Sequence, residues 1–111
     1  MDRVNEYSQL IQGILERYAQ IPYSHGDITS YVITNAPKDH FMLIVVGWDG
    51  KQRVHGCITH VQIIEGKIWI QRDGIEDGIT EELVEAGVPK SDIVLGFQPP
   101  EIRPHTGYAV L

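Results

Sequence analysis

Residues 61–70, VQIIEGKIWI, decide the fold, because two alternating apolar runs flank Glu65-Gly66. Such runs around a two-residue turn that contains glycine are typical of a β-hairpin. The facing pairs in this hairpin are Ile63 with Ile68, Gln62 with Trp69, Val61 with Ile70 and His60 with Gln71. Since facing residues share one side of a sheet, the aliphatic pairs form a core face and the other pairs lie on the opposite face.

Working outward, the chain divides into further strands and two helices. Apolar residues at three- and four-residue spacing predict a helix over 2–20, which Pro22 ends. The acidic segment before Gly87 predicts a short helix with Asp77 as its N-cap and Gly87 as its C-cap. Alternating or β-branched runs predict strands at 27–35, 41–48, 53–64 and 67–73, a hairpin turn at Asp49-Gly50 and a strand-like terminal run at 107–111.

These elements predict an α+β fold for a single domain that spans residues 1–111. Its antiparallel β-sheet has four to five strands, and it carries a long N-terminal helix and a short second helix. A chain of this length has room for one hydrophobic core.

Charge is placed unevenly along the chain, whose net charge is −6. Residues 1–72 carry seven basic and seven acidic side chains, whereas residues 73–111 carry two basic and eight acidic ones. A protein that binds duplex DNA normally presents a basic patch to the phosphates. The acidic last third would repel DNA, so direct nucleic-acid binding is doubtful.

The compartment follows from the apolar runs and the cysteine count. The longest apolar run, 41–48, is far shorter than the roughly 20 residues of a membrane-spanning helix. The first ten residues lack the apolar segment of a signal peptide. A single cysteine cannot form an internal disulfide, so we expect a cytoplasmic protein with no membrane contact.

The stretch VHGCITH, 54–60, raises the question of a metal or thiol site, because Cys57 lies between His55 and His60. If no bulge interrupts the strand, Cys57 and His55 share the core face and His60 points away, so the three cannot converge on a metal. The other residues predicted on that core face are Met42, Ile44, Val46 and Trp48. We therefore expect a buried thiol with a raised pKa, no metal site and no cofactor.

The opposite face presents His60, Gln62, Trp69 and Gln71 together. Its predicted apolar flank consists of Phe41, Leu43, Val45 and Ile58. A tryptophan between polar side chains suits a protein interface, where the ring is buried and its N–H finds a partner. The competing interpretation is that the N-terminal helix covers this face, since a helix must cover one face of the sheet, and that Trp69 is peripheral core.

Motifs of catalysis and nucleotide binding are absent from the sequence: it has no GxGxxG, GxxxxGK[ST], HExxH or GxSxG. Asp73, Glu76 and Asp77 could hold a hard cation, but a solvated turn explains them better because EF-hand spacing is missing. In the proline-rich loop 99–107, Arg103 and His105 could bind an anion or an acidic partner, and an ordinary surface loop is the alternative.

A series of short motifs runs through the chain in a characteristic order. They are Asp39-His40, Gly47-Trp48, Val54-His55-Gly56, His60, the run 66–71 (GKIWIQ), Glu76, Ala86-Gly87, the run 92–97 (DIVLGF), Pro100 and Arg103. In this order they resemble the XisI family, small cyanobacterial proteins described as fdxN element excision controlling factors. The departures are small: Ile75 stands where a threonine is expected, and Phe41 where tyrosine is common.

The resemblance implies an α+β domain with a role in programmed excision of the fdxN DNA element during heterocyst development. Excision itself is attributed to a separate recombinase, and the family is commonly encoded beside XisH, a nuclease-like protein. The leading hypothesis is a non-enzymatic regulatory factor that binds a XisH-like partner. The candidate partner-binding residues are His60, Gln62, Trp69, Gln71, Arg103 and His105.

Two other functions stay open at this point. One is direct DNA binding as an accessory factor of a site-specific recombinase. The other is a metal-dependent hydrolase that uses Asp73 and Glu76. A homodimer is a further possibility if the Trp69 face is open.

Overall fold

The structure, a computed structural model, describes residues 3–111 and begins with the predicted N-terminal helix. Asp2, the first residue of the predicted helix, lies outside the described residues. The elements in chain order are α1 (Arg3–Ala19), β1 (Asp27–Thr34), β2 (His40–Asp49), β3 (Gln52–Ile64), β4 (Lys67–Asp73), α2 (Ile79–Glu85) and β5 (Ile93–Leu95). The α+β fold, both helices and the first four strands are as predicted.

The five strands form one sheet in the order of the chain, β1-β2-β3-β4-β5. The first three pairings are antiparallel, and β5 runs parallel to β4, so the sheet is mixed rather than wholly antiparallel. The predicted strand-like run at the C-terminus is wrong, because only Ala109 forms a bridge there, to Val94. The proline-rich loop before it holds a short 3₁₀ turn, Arg103–His105.

The hairpin between β3 and β4 has the predicted two-residue turn. Glu65 and Gly66 both have positive φ, 49° and 80°, which is the type I′ geometry that matches the twist of two antiparallel strands. The other hairpin differs from its prediction by one residue: Asp49 pairs with Gln52, so the loop consists of Gly50 and Lys51. Gly50 supplies the positive φ, 62°, that this turn needs.

The core lies between α1, α2 and one face of the sheet. Its fully buried members are Ile11, Leu15, Phe41, Val61, Ile68, Ile70, Ile79, Leu83 and Ile93. Two polar contacts fix α1 at the rim of this core: the Tyr7 hydroxyl donates to Asp92 Oδ2 over 2.5 Å, and Arg17 pairs with Glu82 on α2. Burial, together with the Asp92 carboxylate, raises the pKa of Tyr7 to about 12. Helix α1 therefore covers the face that carries Phe41 and Val61.

Helix α2 is capped differently from the prediction at its start and as predicted at its end. Asp77 is exposed and the N-cap is Gly78; the side chain that caps the helix is Asp73, whose carboxylate accepts from the N–H groups of Ile79 (3.0 Å) and Thr80 (3.4 Å). At the other end Gly87, with φ 104°, lets the Val88 N–H reach the Leu83 carbonyl. This is a Schellman motif.

Candidate functional site

The candidate site is the sheet face opposite α1, here called the open face. Its apolar members are Tyr31, Ile33, Met42, Ile44, Val46, Trp48, Cys57 and Trp69, and its uncharged polar members include His40, His60, Gln62 and Gln71. Tyr31, Ile33 and Trp48 are about half exposed. Because α1 covers the other face, the interpretation of Trp69 as core under the N-terminal helix is wrong.

A β-bulge in β3 overturns the predicted assignment of Cys57. Leu43 pairs with Thr59 and Ile44 with Cys57, so Ile58 is an extra residue without a partner in β2. Because side chains alternate between the two faces, one extra residue moves every side chain on the far side of the bulge to the opposite face. Cys57 and His55 therefore lie on the open face, and so do the other residues predicted beside them in the core, namely Met42, Ile44, Val46 and Trp48.

The same bulge moves the residues predicted to flank Trp69. Phe41, Leu43 and Val45 are buried on the α1 side of the sheet, and Ile58 packs against the same core. Gly74 closes the bulge, since its N–H donates to the Ile58 carbonyl over 2.8 Å. A second bulge, at Gln71 in β4, makes His60 face Arg72 rather than Gln71.

Four polar side chains pair across the strands at the centre of the open face. His40 Nδ1 and His60 Nε2 are 3.1 Å apart, and their rings stack with centroids 5.4 Å apart. The Gln71 amide donates to Gln62 Oε1 over 3.3 Å. Three of these four were predicted as site residues. His40 was not, because its contact with His60 runs diagonally between two strands and depends on the bulge register.

Trp69 lies under a cation from the C-terminal loop. The Arg103 guanidinium carbon is 5.1 Å from the centre of the Trp69 ring, close enough for a cation–π contact. The arginine is held in place because its Nε donates to the Gln98 carbonyl over 3.1 Å and its own carbonyl accepts from the Thr106 hydroxyl. His105 is exposed, and among residues 3–111 no hydrogen bond or ring contact joins its side chain to this group.

Burial controls the protonation of the two reactive side chains on this face. Desolvation lowers the pKa of His60, and the adjacent His40 lowers it further. Burial raises the pKa of the Cys57 thiol, although the charge of Arg72 opposes the rise. The thiol donates to the Thr59 carbonyl over 3.3 Å and stays protonated at neutral pH. It is therefore a poor nucleophile, since the thiolate is the reactive form.

Asp73 has a structural role that conflicts with cation binding. Both of its carboxylate oxygens accept hydrogen bonds from the start of α2, including one from the Thr80 hydroxyl at 3.1 Å. Glu76 is exposed. Within residues 3–111 no three His, Cys, Asp or Glu side chains form a group that could hold a metal ion. Nor does this part of the chain contain a helix long and apolar enough to span a membrane.

Comparison with known proteins gives consistent results over the whole chain. A family model described as XisI protein matches residues 1–110. A solved XisI-like protein from Anabaena variabilis ATCC 29413 is 38% identical with a TM-score of 0.87, and the match covers 96% of this chain and 97% of that one. The fdxN element excision controlling factor XisI from the same organism is 35% identical with a TM-score of 0.82, over 99% and 100% of the two chains.

No curated protein matches the chain. The family match and the two structural matches agree in covering nearly all of it. The chain belongs to the XisI family.

Proposed function

We propose that this chain is a non-enzymatic regulatory factor in DNA excision, and that it acts by binding a protein partner through its open face. The regulatory role is supported by family membership, because a relative of 35% identity is named as an excision controlling factor. The family resemblance points to a XisH-like, nuclease-fold protein as the partner. The single observation that carries the binding surface is the Trp69–Arg103 contact beside an apolar sheet face.

The composition of the open face supports protein binding. Interface cores are enriched in aromatic residues, methionine and arginine and depleted of lysine and carboxylates. Here the face carries Tyr31, Met42 and Trp69, and along β1 and β2 its only carboxylate is Asp27, at the first position of β1. The acidic excess of the chain is in residues 73–111. A partner that meets this face therefore does not have to bury an unpaired carboxylate, which would be costly.

Trp69 is the proposed anchor of the interaction. It is partly buried by its neighbours, so its ring is already ordered before a partner binds. Arg103 adds a cation whose position is set by the Gln98 carbonyl. Tryptophan and arginine are the residue types most often found as binding hot spots, and truncating one typically costs about 2 kcal/mol or more.

The test begins with the light-scattering mass of the chain co-purified with a XisH-like protein. Variants of the chain are then titrated with that protein to measure their dissociation constants. We expect a mixed complex whose dissociation constant rises about thirtyfold in Trp69→Ala, the equivalent of about 2 kcal/mol. Tyr23→Ala is the matched control, because Tyr23 is an aromatic residue of 46% exposure in the loop before β1. It should leave affinity unchanged.

Two outcomes would overturn the proposal. The first is a folded Trp69→Ala protein that binds as tightly as the original chain. The second is the absence of a mixed complex together with binding to a DNA duplex that weakens steeply with salt, which is the behaviour of a direct DNA-binding factor.

A further inference from the structure

The two edges of the sheet differ in how they are protected. At one edge β5 is only three residues long, and the C-terminal segment covers it: Ala109 bridges Val94 and donates its N–H to the Ile93 carbonyl over 2.9 Å. At the other edge β1 has eight residues and pairs with β2 without a register shift. In an antiparallel pair, alternate residues of the outer strand direct N–H and C=O groups away from the sheet.

Strand β1 lacks the devices that normally keep an edge strand from pairing. Proteins protect such edges with lysine, proline, bulges or a short strand. The sequence of β1, DITSYVIT, contains no lysine or proline, and its single charge, Asp27, is at its first position. Tyr31 and Ile33 are 49% and 47% exposed on the open face. The strand is therefore long, regular and almost uncharged, with free backbone groups along one side.

The α1 side of β1 has room for the side chains of an added strand. An open groove of about 290 Å³ runs beside β1 from Ser30 to Thr34. Its other wall is the exposed flank of α1, at Gln12, Glu16, Ala19 and Gln20. An added strand would direct every second side chain into this groove and the others onto the open face.

We propose that β1 pairs antiparallel with β1 of a second copy of this chain, about a two-fold axis perpendicular to the sheet. Tyr31 then faces Tyr31 of the second copy, and the two sheets join into one of ten strands. The open faces of the two copies lie on the same side. This pairing is independent of the partner binding proposed above, which concerns the surface around Trp69.

Register and charge favour a second copy of this chain as the partner that pairs with β1. A perpendicular two-fold axis requires one residue to face its own counterpart. With Tyr31 at the axis, Thr29 faces Ile33 and Asp27 faces Asn35, whereas Ser30 at the axis would put Asp27 opposite the apolar Ile33. The two Asp27 carboxylates are then eight residues apart, about 27 Å, well beyond the screening length of about 10 Å.

The size of the contact sets the expected strength of the dimer. One strand and one groove wall per copy make an interface smaller than the standard of about 1,200–2,000 Å². We therefore expect a concentration-dependent dimer, with a light-scattering mass that approaches twice the 12.5 kDa of one chain as concentration rises. Ile33→Lys should restore the single-chain mass, because a lysine on the edge strand opposes pairing.

Ile102→Lys is the matched control for the mass measurement. Ile102 is 43% exposed and follows β5, at the opposite edge of the sheet, so this variant should dimerise like the original chain. Circular dichroism of both variants establishes that they are folded. A mass of one chain at millimolar concentration of the unmodified protein would overturn the proposal.

Cysteine cross-linking tests the register. In a Cys57→Ser background, Tyr31→Cys should give a covalent dimer on oxidation, because facing residues in an antiparallel pair have Cα atoms about 4.5–5.5 Å apart. Thr29→Cys should give no covalent dimer, since its counterpart is about 14 Å away, and the double change Thr29→Cys with Ile33→Cys should cross-link. If Thr29→Cys alone cross-links as readily as Tyr31→Cys, the proposed pairing is wrong.

Discussion

The guanidinium carbon of Arg103 lies 5.1 Å from the centre of the Trp69 ring, so a loop outside the sheet shields a residue of its fourth strand. In a Trp48→Phe background, where Trp69 is the only tryptophan, we expect Arg103→Gln to increase quenching of its fluorescence by acrylamide. Loss of the contact should also reduce stability by about 0.5–1 kcal/mol. The matched control is Arg53→Gln, because Arg53 lies over Trp48 instead. Equal quenching in both variants would contradict the observed stacking.

Replacing Asp73 should destabilise the protein through α2. Its carboxylate accepts hydrogen bonds from the N–H groups of Ile79 and Thr80, which begin the helix. In Asp73→Ala we expect the free energy of unfolding in urea to fall by about 1 kcal/mol, the usual effect of losing a capping side chain. Asp77→Ala, which removes an exposed acid one residue before the N-cap, should change it little. The reverse order of the two effects would restore Asp77 as the cap.

Gly74 should tolerate no side chain, because a Cβ atom there would lie 2.4 Å from the Ile58 carbonyl oxygen. We expect Gly74→Ala to lower the free energy of unfolding by about 1–3 kcal/mol, as overpacking does elsewhere. Gly56→Ala serves as the control, since a Cβ at this glycine in β3 meets nothing within 4 Å. Similar unfolding curves for the two variants would show that the chain accommodates Gly74→Ala without disturbing the bulge.

The stability of the protein should fall on mild acidification because of His60. Burial and the adjacent His40 lower the pKa of His60 below its ordinary value of 6.5, so the unfolded chain binds the proton more readily than the folded one. The destabilisation from His60 is absent above the pKa of the unfolded chain, and it grows as pH falls through 6.5 toward the lower pKa of the folded protein. Urea unfolding at several pH values should show this loss, and His60→Gln should remove part of it. His105→Gln, at an exposed site, should leave the loss intact.

The parts of the fold that the sequence predicts are those set by neighbours along the chain. The hairpin at Glu65-Gly66 was predicted correctly because the turn residues and the flanking alternation lie within ten residues. The end of α2 was likewise predicted by a single glycine, Gly87. Such local features need only turn chemistry and periodicity, both of which can be read from one segment.

The errors in assigning residues to the two faces of the sheet share a physical cause, which is the bulge at Ile58. An extra isoleucine in a β-branched run has no local signature, and the residue that completes the bulge, Gly74, belongs to the segment after β4. Alternation in β3 alone therefore assigned Cys57 to the wrong face. It also concealed the contact of His40 with His60, which exists only in the shifted register.

The capping of α2 by Asp73 is a second long-range feature. Sequence position favours Asp77, which directly precedes Gly78, the N-cap. Asp73 can reach the helix only because the chain turns back after β4. The pattern of apolar residues does not predict that turn. The parallel direction of β5 is missed for the same reason, since it depends on where α2 returns the chain to the sheet.

The order of strands in the sheet has a consequence for how the chain folds. Strands β1, β2 and β3 each pair with the next strand along the chain through a short connection, so the sheet from β1 to β4 can form progressively with little loss of chain entropy at each step. Strand β5 can pair only after the segment 74–92 has turned back across the sheet. We therefore expect β5 and the segment after it to dock late and to detach first, so that hydrogen exchange at the Ile93–Leu95 amides proceeds through partial openings while exchange in β3 requires global unfolding.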